Sequence, residues 1–279
     1  MARSARVAVP GVGRQVVLVT GASSGIGKAT AEFLAAEGFR VFGTSRKSQA
    51  DANGVEMLEL DVRREDSVER CVGEVRARAD HLDVLVNNAG IERIGIAEET
   101  ALEDARAVFE TNFFGVVRMT NAVLPEMRRR GRGRIVNVGS AAAWVGEPGE
   151  AFYAASKHAL AGYSEALRYE VWPLGIHVCL IEPGSFRTNI VAASAAPERK
   201  IPDYDAVRAA ARRTLEDSAR KGGDPRTVAR LILRVIRARA PHLRYPAGRA
   251  ARCIPYLKVL LPQRVFESLV RRGFGLPQE

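Results

Sequence analysis

The chain has 279 residues, 47% of them hydrophobic, enough to fill one large α/β core and too apolar for a disordered chain. Its net charge of +10 lies wholly in residues 226–279, where eleven arginines and one lysine stand against Glu267 and Glu279. A neutral body with a basic tail argues against a nucleic-acid binder and leaves a solvated arginine surface or a local anionic contact. Cys71, Cys179 and Cys253 are odd in number and far apart, so neither a disulfide framework nor a metal-ligand cluster is readable, and a reducing compartment is expected. The opening MARSARVAVPGVGRQ lacks the apolar core of a signal peptide, and no later run reaches the roughly 18 apolar residues of a membrane span. These features predict a soluble, cytoplasmic protein.

Short apolar runs then follow one another: QVVLVT at 15–20, RVFG at 40–43, MLEL at 57–60, DVLVN at 83–87, RIVNV at 134–138 and IHVCLIE at 176–182. They are rich in Val, Ile and Leu, as strands buried on both faces are. Between them lie helically spaced segments such as Ile26–Glu37 and Phe152–Trp172, the latter stopped by Pro173. The alternation predicts an α/β fold: one doubly wound, Rossmann-type sheet of about seven mostly parallel strands with helices on both faces, within a single catalytic domain over 1–279. The least regular stretch, 184–224, follows the sixth run and is expected to form a lid.

After the first strand, Thr20-Gly21-Ala22-Ser23-Ser24-Gly25-Ile26-Gly27 opens a helix. Gly21 can take the tight turn, Gly25 admits a pyrophosphate close to the backbone, and Gly27 lets helix and strand pack tightly. The helix N-terminus then offers unpaired N–H groups to phosphate. The spacing G-x-x-x-G-x-G differs from the common G-x-G-x-x-G fingerprint. After the second strand, where NAD enzymes place an acid, the chain reads Ser45-Arg46-Lys47. A guanidinium binds a ribose 2′-phosphate and a carboxylate repels it, so NADP(H) is the expected cofactor. Further on, Tyr153 and Lys157 stand at i and i+4 on one helix face, where an ammonium beside a phenol favours the phenolate. The pair is a candidate acid/base.

The combination of TGASSGIG at 20–27, NNAG at 87–90, Asn112 in FETNFFG, Ser140 thirteen residues before Tyr153, YAASK at 153–157 and PG-x-x-x-T at 183–188 strongly resembles the short-chain dehydrogenase/reductase family. The resemblance implies that Tyr153 is the general acid in reduction and the base in oxidation. Lys157 would lower the tyrosine pKa and hold the nicotinamide ribose, Ser140 would polarise the substrate oxygen, and Asn112 would hold a water linking Lys157 to solvent. It further implies that Asp61 and Val62 hold adenine and that Asn88, Ala89 and Gly90 lie beside the adenosine ribose. Asn87 would brace the sheet, and Pro183, Gly184 and Thr188 would fix the nicotinamide. No metal is required by this chemistry.

Residues 164–190 look most like the 17β-hydroxysteroid and retinol dehydrogenase branch, implying a lipophilic ketone or alcohol, with Trp144, Val145, Phe186 and Ile190 as candidate pocket walls. A carrier-linked β-ketoacyl or polyketide ketoreductase and a non-catalytic nucleotide-binding redox sensor are the alternatives; the sensor would be expected to have lost Ser140, Tyr153 or Lys157. The family pairs its two long helices across a two-fold axis, so a homodimer or homotetramer is expected, with Phe109, Phe113, Leu160 and Leu167 available for core or interface. In the tail, Val228, Leu231, Ile232, Val235 and Ile236 recur at helical spacing, as in a helix docked on the sheet. Residues 253–274 add a second apolar surface among arginines, which suggests partial cover of the substrate entrance and weak peripheral contact with an anionic membrane.

Overall fold

The computed structural model describes residues 14–194 and 197–277; the reading of the first thirteen residues lies outside that range. Seven strands form one sheet: β1 (Val16–Val19), β2 (Arg40–Ser45), β3 (Val55–Glu59), β4 (Val84–Asn87), β5 (Gly133–Val138), β6 (Ile176–Pro183) and β7 (Arg244–Ala247). Their order is β3-β2-β1-β4-β5-β6-β7, and every adjacent pair is parallel. Six strands fall on the predicted apolar runs. The chain's direction of travel across the sheet reverses between β1 and β4, so the crevice where an open α/β sheet binds ligands lies beyond their carboxyl ends.

The helices are α1 (Gly25–Ala36), α2 (Glu65–Ala79), α3 (Leu102–Phe109), α4 (Gly115–Arg130), α5 (Ala151–Val171), α6 (Asp205–Lys221), α7 (Arg226–Arg237), α8 (Arg249–Leu260) and α9 (Gln263–Gly273). Strand residues alternate between faces, so Leu18 and Leu85 pack with Val72, Met119 and Leu167 of α2, α4 and α5, while Val17 and Val86 pack with Leu34 of α1 and Ile232 of α7. This is the doubly wound arrangement, with a core on each side of the sheet.

Two elements depart from the sequence reading. Within the stretch expected to be irregular, residues 205–221 form the helix α6. It buries only Ala211 and Leu215, so it carries little apolar periodicity, yet its Ala, Arg and Glu are good helix formers. It is pinned by Arg208, whose guanidinium pairs with the buried Glu99 carboxylate and donates to Ile201 O at 2.9 Å. The second departure is β7, RYPA, whose proline masks it as a strand. Pro246 is tolerated because β7 is the outermost strand.

The tail's first helix behaves as its pattern implies. Val228, Ile232, Val235 and Ile236 of α7 are buried, Leu231 is half-buried, and Arg226, Arg230, Arg234 and Arg237 face solvent. Arg134 on β5 reaches the end of α7 and donates to Ile236 O at 2.6 Å and Ala238 O at 2.8 Å, satisfying carbonyls that a helix C-terminus leaves open. Ile232 is fully buried. Truncating it to alanine should lower the unfolding free energy by about 2–5 kcal/mol, read from the midpoint of a urea transition at constant slope.

Candidate active site

A cleft of about 950 Å³ opens at the carboxyl ends of the strands and holds the glycine turn, Ser140, Tyr153 and Lys157 together. At one end the β1–α1 turn is built by close backbone contact. Gly21 and Gly25 have positive φ, 68° and 56°, and a Cβ at Gly27 would stand 2.2 Å from Gly21 O and 2.3 Å from Asn88 Nδ2. Thr20 Oγ1 accepts from the amides of Asn88 and Ala89 at 2.9 and 3.0 Å, and Asn88 Nδ2 donates to Thr20 O at 2.9 Å and Gly21 O at 3.1 Å. The Asn88 side chain is thereby spent on bracing the turn. Asn87 braces the sheet, donating to Asn137 Oδ1 at 2.9 Å.

The N-terminus of α1 has no side-chain cap: Ser24 precedes it without a capping hydrogen bond, and Ser23 and Ser24 are exposed beside Gly25 and Ile26 in the cleft wall. Its first N–H groups therefore point at the cleft unpaired, which fits an anionic pyrophosphate. Arg46 is exposed at the end of β2, makes no hydrogen bond or ion pair with a described residue, and also lines the cleft. Asp61 and Val62 lie close by. The Asp61 carboxylate is held by Arg63 at 2.9 and 2.6 Å, which keeps it below the usual carboxylate range, so an adenine would compete with that fork. Gly90, Pro183 at the end of β6, and Gly184 and Thr188 from the segment after it complete this half of the cleft. Thr188 sits over Gly25, 3.2 Å from where a Cβ would be.

In the other half, Ser140 follows β5 by two residues and caps a short 3₁₀ turn, its Oγ accepting from Ala142 N at 3.1 Å. Ser140 and Tyr153 both line the cleft, close enough for the serine hydroxyl to favour the phenolate. Lys157 Nζ donates to Val138 O at 3.1 Å and stands 5.5 Å from the Tyr153 ring centre. The protein surroundings do not lower the Tyr153 pKa as expected. Burial raises it, and Glu92, Glu150 and Glu147 nearby raise it further, so the phenol keeps its proton. Lys157 is pushed down to about 8 by burial.

Asn112 is not within a regular helix. It lies in a π-helical turn, Glu110–Phe114, between α3 and α4. Its Nδ2 donates to Ile91 O at 2.9 Å and Ser156 Oγ at 3.1 Å, and its Oδ1 accepts from Ile91 N at 2.8 Å. As placed, Asn112 anchors the segment that follows Gly90, and its Oδ1 and Lys157 Nζ both flank Gly90, 3.3 and 3.9 Å from where a Cβ would stand. Of the four apolar candidates, Val145, Phe186 and Ile190 line the cleft. Trp144 does not. Its Nε1 donates to the buried Glu182 at 2.8 Å, and Arg244 stacks on its ring at 4.3 Å, turning the indole toward β7.

The mouth of the cleft is formed by residues whose role sequence reasoning assigned only in outline. Ile254 and Leu257 of α8 and Phe266, Leu269 and Val270 of α9 line it, and Lys258 Nζ donates to Trp144 O at 2.5 Å, tying α8 to the loop before α5. Glu92, Glu147 and Glu150 also face the cleft and were not singled out by any motif; the NNAG signature stops two residues short of Glu92.

Comparison with known proteins agrees with this geometry. Residues 15–199 match the short chain dehydrogenase family model. The chain is 40% identical over 236 residues to a 3-ketodihydrosphingosine reductase of Bacteroides thetaiotaomicron, covering 84% of this chain and 88% of the relative. A short-chain dehydrogenase structure from Streptomyces avermitilis superposes with a TM-score of 0.80 at 36% identity, covering 94% of this chain and 99% of that one. One from Burkholderia cenocepacia, in complex with NADP, gives 0.71 at 26% identity over 92% and 96%. The chain belongs to the short-chain dehydrogenase/reductase family. It is accordingly an oxidoreductase of carbonyl or alcohol groups with a Rossmann fold and a nicotinamide cofactor.

Proposed function

We propose that the protein reduces a long-chain, lipophilic ketone with NADPH. The observation that carries this reading is the cleft itself, which runs from the bare helix N-terminus and Arg46, past Ser140, Tyr153 and Lys157, to an apolar mouth made by α8 and α9. The 3-ketodihydrosphingosine reductase among the relatives supports the substrate class. Bound NADPH supplies the hydride. The amides of the α1 N-terminus, with Gly21, Gly25 and Gly27 leaving room, hold the pyrophosphate, and Arg46 holds the 2′-phosphate. Ser140 donates a hydrogen bond to the substrate oxygen as negative charge develops on it, and Tyr153 gives that oxygen its phenolic proton. The raised Tyr153 pKa suits this direction, because the group waits protonated. Lys157, buried beside the ring, binds the nicotinamide ribose and favours return of a proton to Tyr153. Asp61, Val62, Ala89, Gly90, Pro183, Gly184 and Thr188 frame the cofactor, and Asn112 acts through the Ile91 backbone.

The basic tail extends this reading. Tyr256, Val259 and Leu260 of α8 and Val265 of α9 are exposed apolar side chains on the pair of helices that rims the mouth, with the exposed Arg252, Lys258 and Arg264 among them. Apolar side chains beside cations suit reversible docking on an anionic lipid surface, each cation contributing about 1 kcal/mol near headgroups. None of the described helices is long and apolar enough to cross a membrane. Association of copies through α4 and α5 belongs to the same proposal. Leu160 and Leu167 are core residues, but Phe114, in the π turn leading into α4, and Tyr169 of α5 remain exposed, and Phe113 packs edge-on against Phe114 at 5.1 Å.

Fluorescence titration should give tighter binding of NADPH than NADH. Arg46→Asp should reverse the order, the lost ion pair being worth roughly ten- to over a hundredfold. Tyr153→Phe should bind NADPH normally and reduce no ketone. Equal cofactor affinities, or an active Tyr153→Phe enzyme, would contradict the assignments. Flotation with anionic vesicles should carry the protein upward in low salt only, and Val259→Ser/Leu260→Ser should weaken it; recovery with neutral and anionic vesicles alike would remove the membrane reading. Light scattering at micromolar concentration should report a homodimer or homotetramer, and a monomer would remove that part.

A further inference from the structure

The proposed reduction of a simple ketone leaves three carboxyl groups in the cleft without a task. Glu92 follows the Asn88–Gly90 segment, and Glu147 and Glu150 close the loop between Ser140 and α5. Glu92 and Glu150 are 5% and 6% exposed. Glu92 and Glu150 lie close enough to act on one another, and Glu92 Oε1 is buried with no hydrogen-bond partner. Burial raises the pKa of all three groups, and proximity raises those of Glu147 and Glu150 further. Such a cluster costs desolvation and repulsion unless something positive enters it.

The neighbouring cations are engaged elsewhere. Arg93, next in the chain, turns to Asp104 at 3.1 Å, and Lys157 Nζ donates to Val138 O while acting on Glu92 only through space. Nor does the cluster assist the acid/base pair, since all three glutamates disfavour a Tyr153 phenolate. The remaining cations of the cleft, Arg46 and Arg63, belong to the adenosine end, with Arg63 committed to Asp61. Carboxyl groups that line the cleft with Tyr153, one of them without a donor at Glu92 Oε1, are complementary to a small cation with several N–H bonds. A primary ammonium has three such donors and can serve Glu92 Oε1 together with a second carboxylate.

We propose that Glu92, together with Glu147 and Glu150, binds a primary ammonium group that the substrate carries close to its reducible carbonyl, so that the physiological substrate is a long-chain amino ketone. This deepens the reading of the chain as a ketone reductase and rests on it. The apolar mouth takes the alkyl chain, Ser140 and Tyr153 take the carbonyl oxygen, and the glutamates take the amine. Glu92 is a specificity-determining residue in this scheme and transfers no proton in the reduction.

The test uses the full-length protein with NADPH and two ketones of equal chain length: 3-ketodihydrosphingosine, which bears an amine on the carbon next to the ketone, and its analogue lacking that amine. The expected result is a kcat/KM on the order of tenfold to a hundredfold higher for the amino ketone, carried mainly by KM. Glu92→Gln should bring the ratio toward unity, and Glu147→Gln should reduce it. Equal kcat/KM for the two ketones in the unmodified protein, or a ratio unchanged by Glu92→Gln, overturns the proposal while leaving the reductase reading intact. Binding separates the two ideas if neither ketone is turned over. Calorimetric titration of sphinganine and its amine-free diol, in the presence of NADP+, should show an amine-dependent gain that Glu92→Gln removes. No such gain overturns the ammonium site. Should Glu92→Gln fail to fold by thermal melting, the unmodified protein's ratio and Glu147→Gln decide the matter.

Discussion

Two chain segments from the middle of the sheet, the turn after β1 and the end of β4, meet with no space between them for a side chain. Thr20 is the joint: its hydroxyl oxygen receives two amides from the β4 side, and the Asn88 side chain returns two hydrogen bonds to the backbone of the turn. Gly27 completes the contact, because any Cβ there would collide with Gly21 O. This joint directs the N-terminus of α1 into the cleft and fixes where β4 releases the chain toward Glu92. The cofactor end and the acidic end of the site are thus set by one packing constraint, and both are built on parallel strands buried from either side.

The electrostatics of the cleft divide along the same line. At the turn, exposed cations and unpaired amides await anions. At the opposite end, Tyr153 lies among carboxyl groups that raise its pKa, and burial lowers that of Lys157. Outside, the excess of arginine on the last four helices and strands gives the mouth the opposite sign to the interior. The polarity of a bound chain would follow from this layout, with its charged head inward and its alkyl portion toward α8 and α9.

Most of the architecture was legible because buried parallel strands are continuous runs of Val, Ile and Leu, and six such runs stand in the chain. The site was legible where chemistry forces residue type at close spacing, as in the glycine turn and the Tyr153–Lys157 pair. What escaped reading depended on contacts between distant segments. Trp144 looked like a pocket wall, and only the meeting of Glu182 with Arg244 turns it away. Asn112 looked like a polar residue in a regular helix, and the π turn that holds it has no signature in FETNFFG. The α6 helix buries too little to declare itself, and the pKa of Tyr153 answers to three glutamates that no motif joins.

Pro246 has a consequence beyond marking the last strand. Leu180 N and Gly184 N reach Leu243 O and Ala247 O, so alternate residues 243, 245 and 247 turn their backbone groups toward β6. Pro246 therefore faces outward, where an N–H would otherwise invite another strand. That border of the sheet cannot template an uninterrupted ladder with a second chain, native or misfolded. The fold thus carries its own guard against fibril-like stacking at the β7 edge, one of the two edges of the sheet.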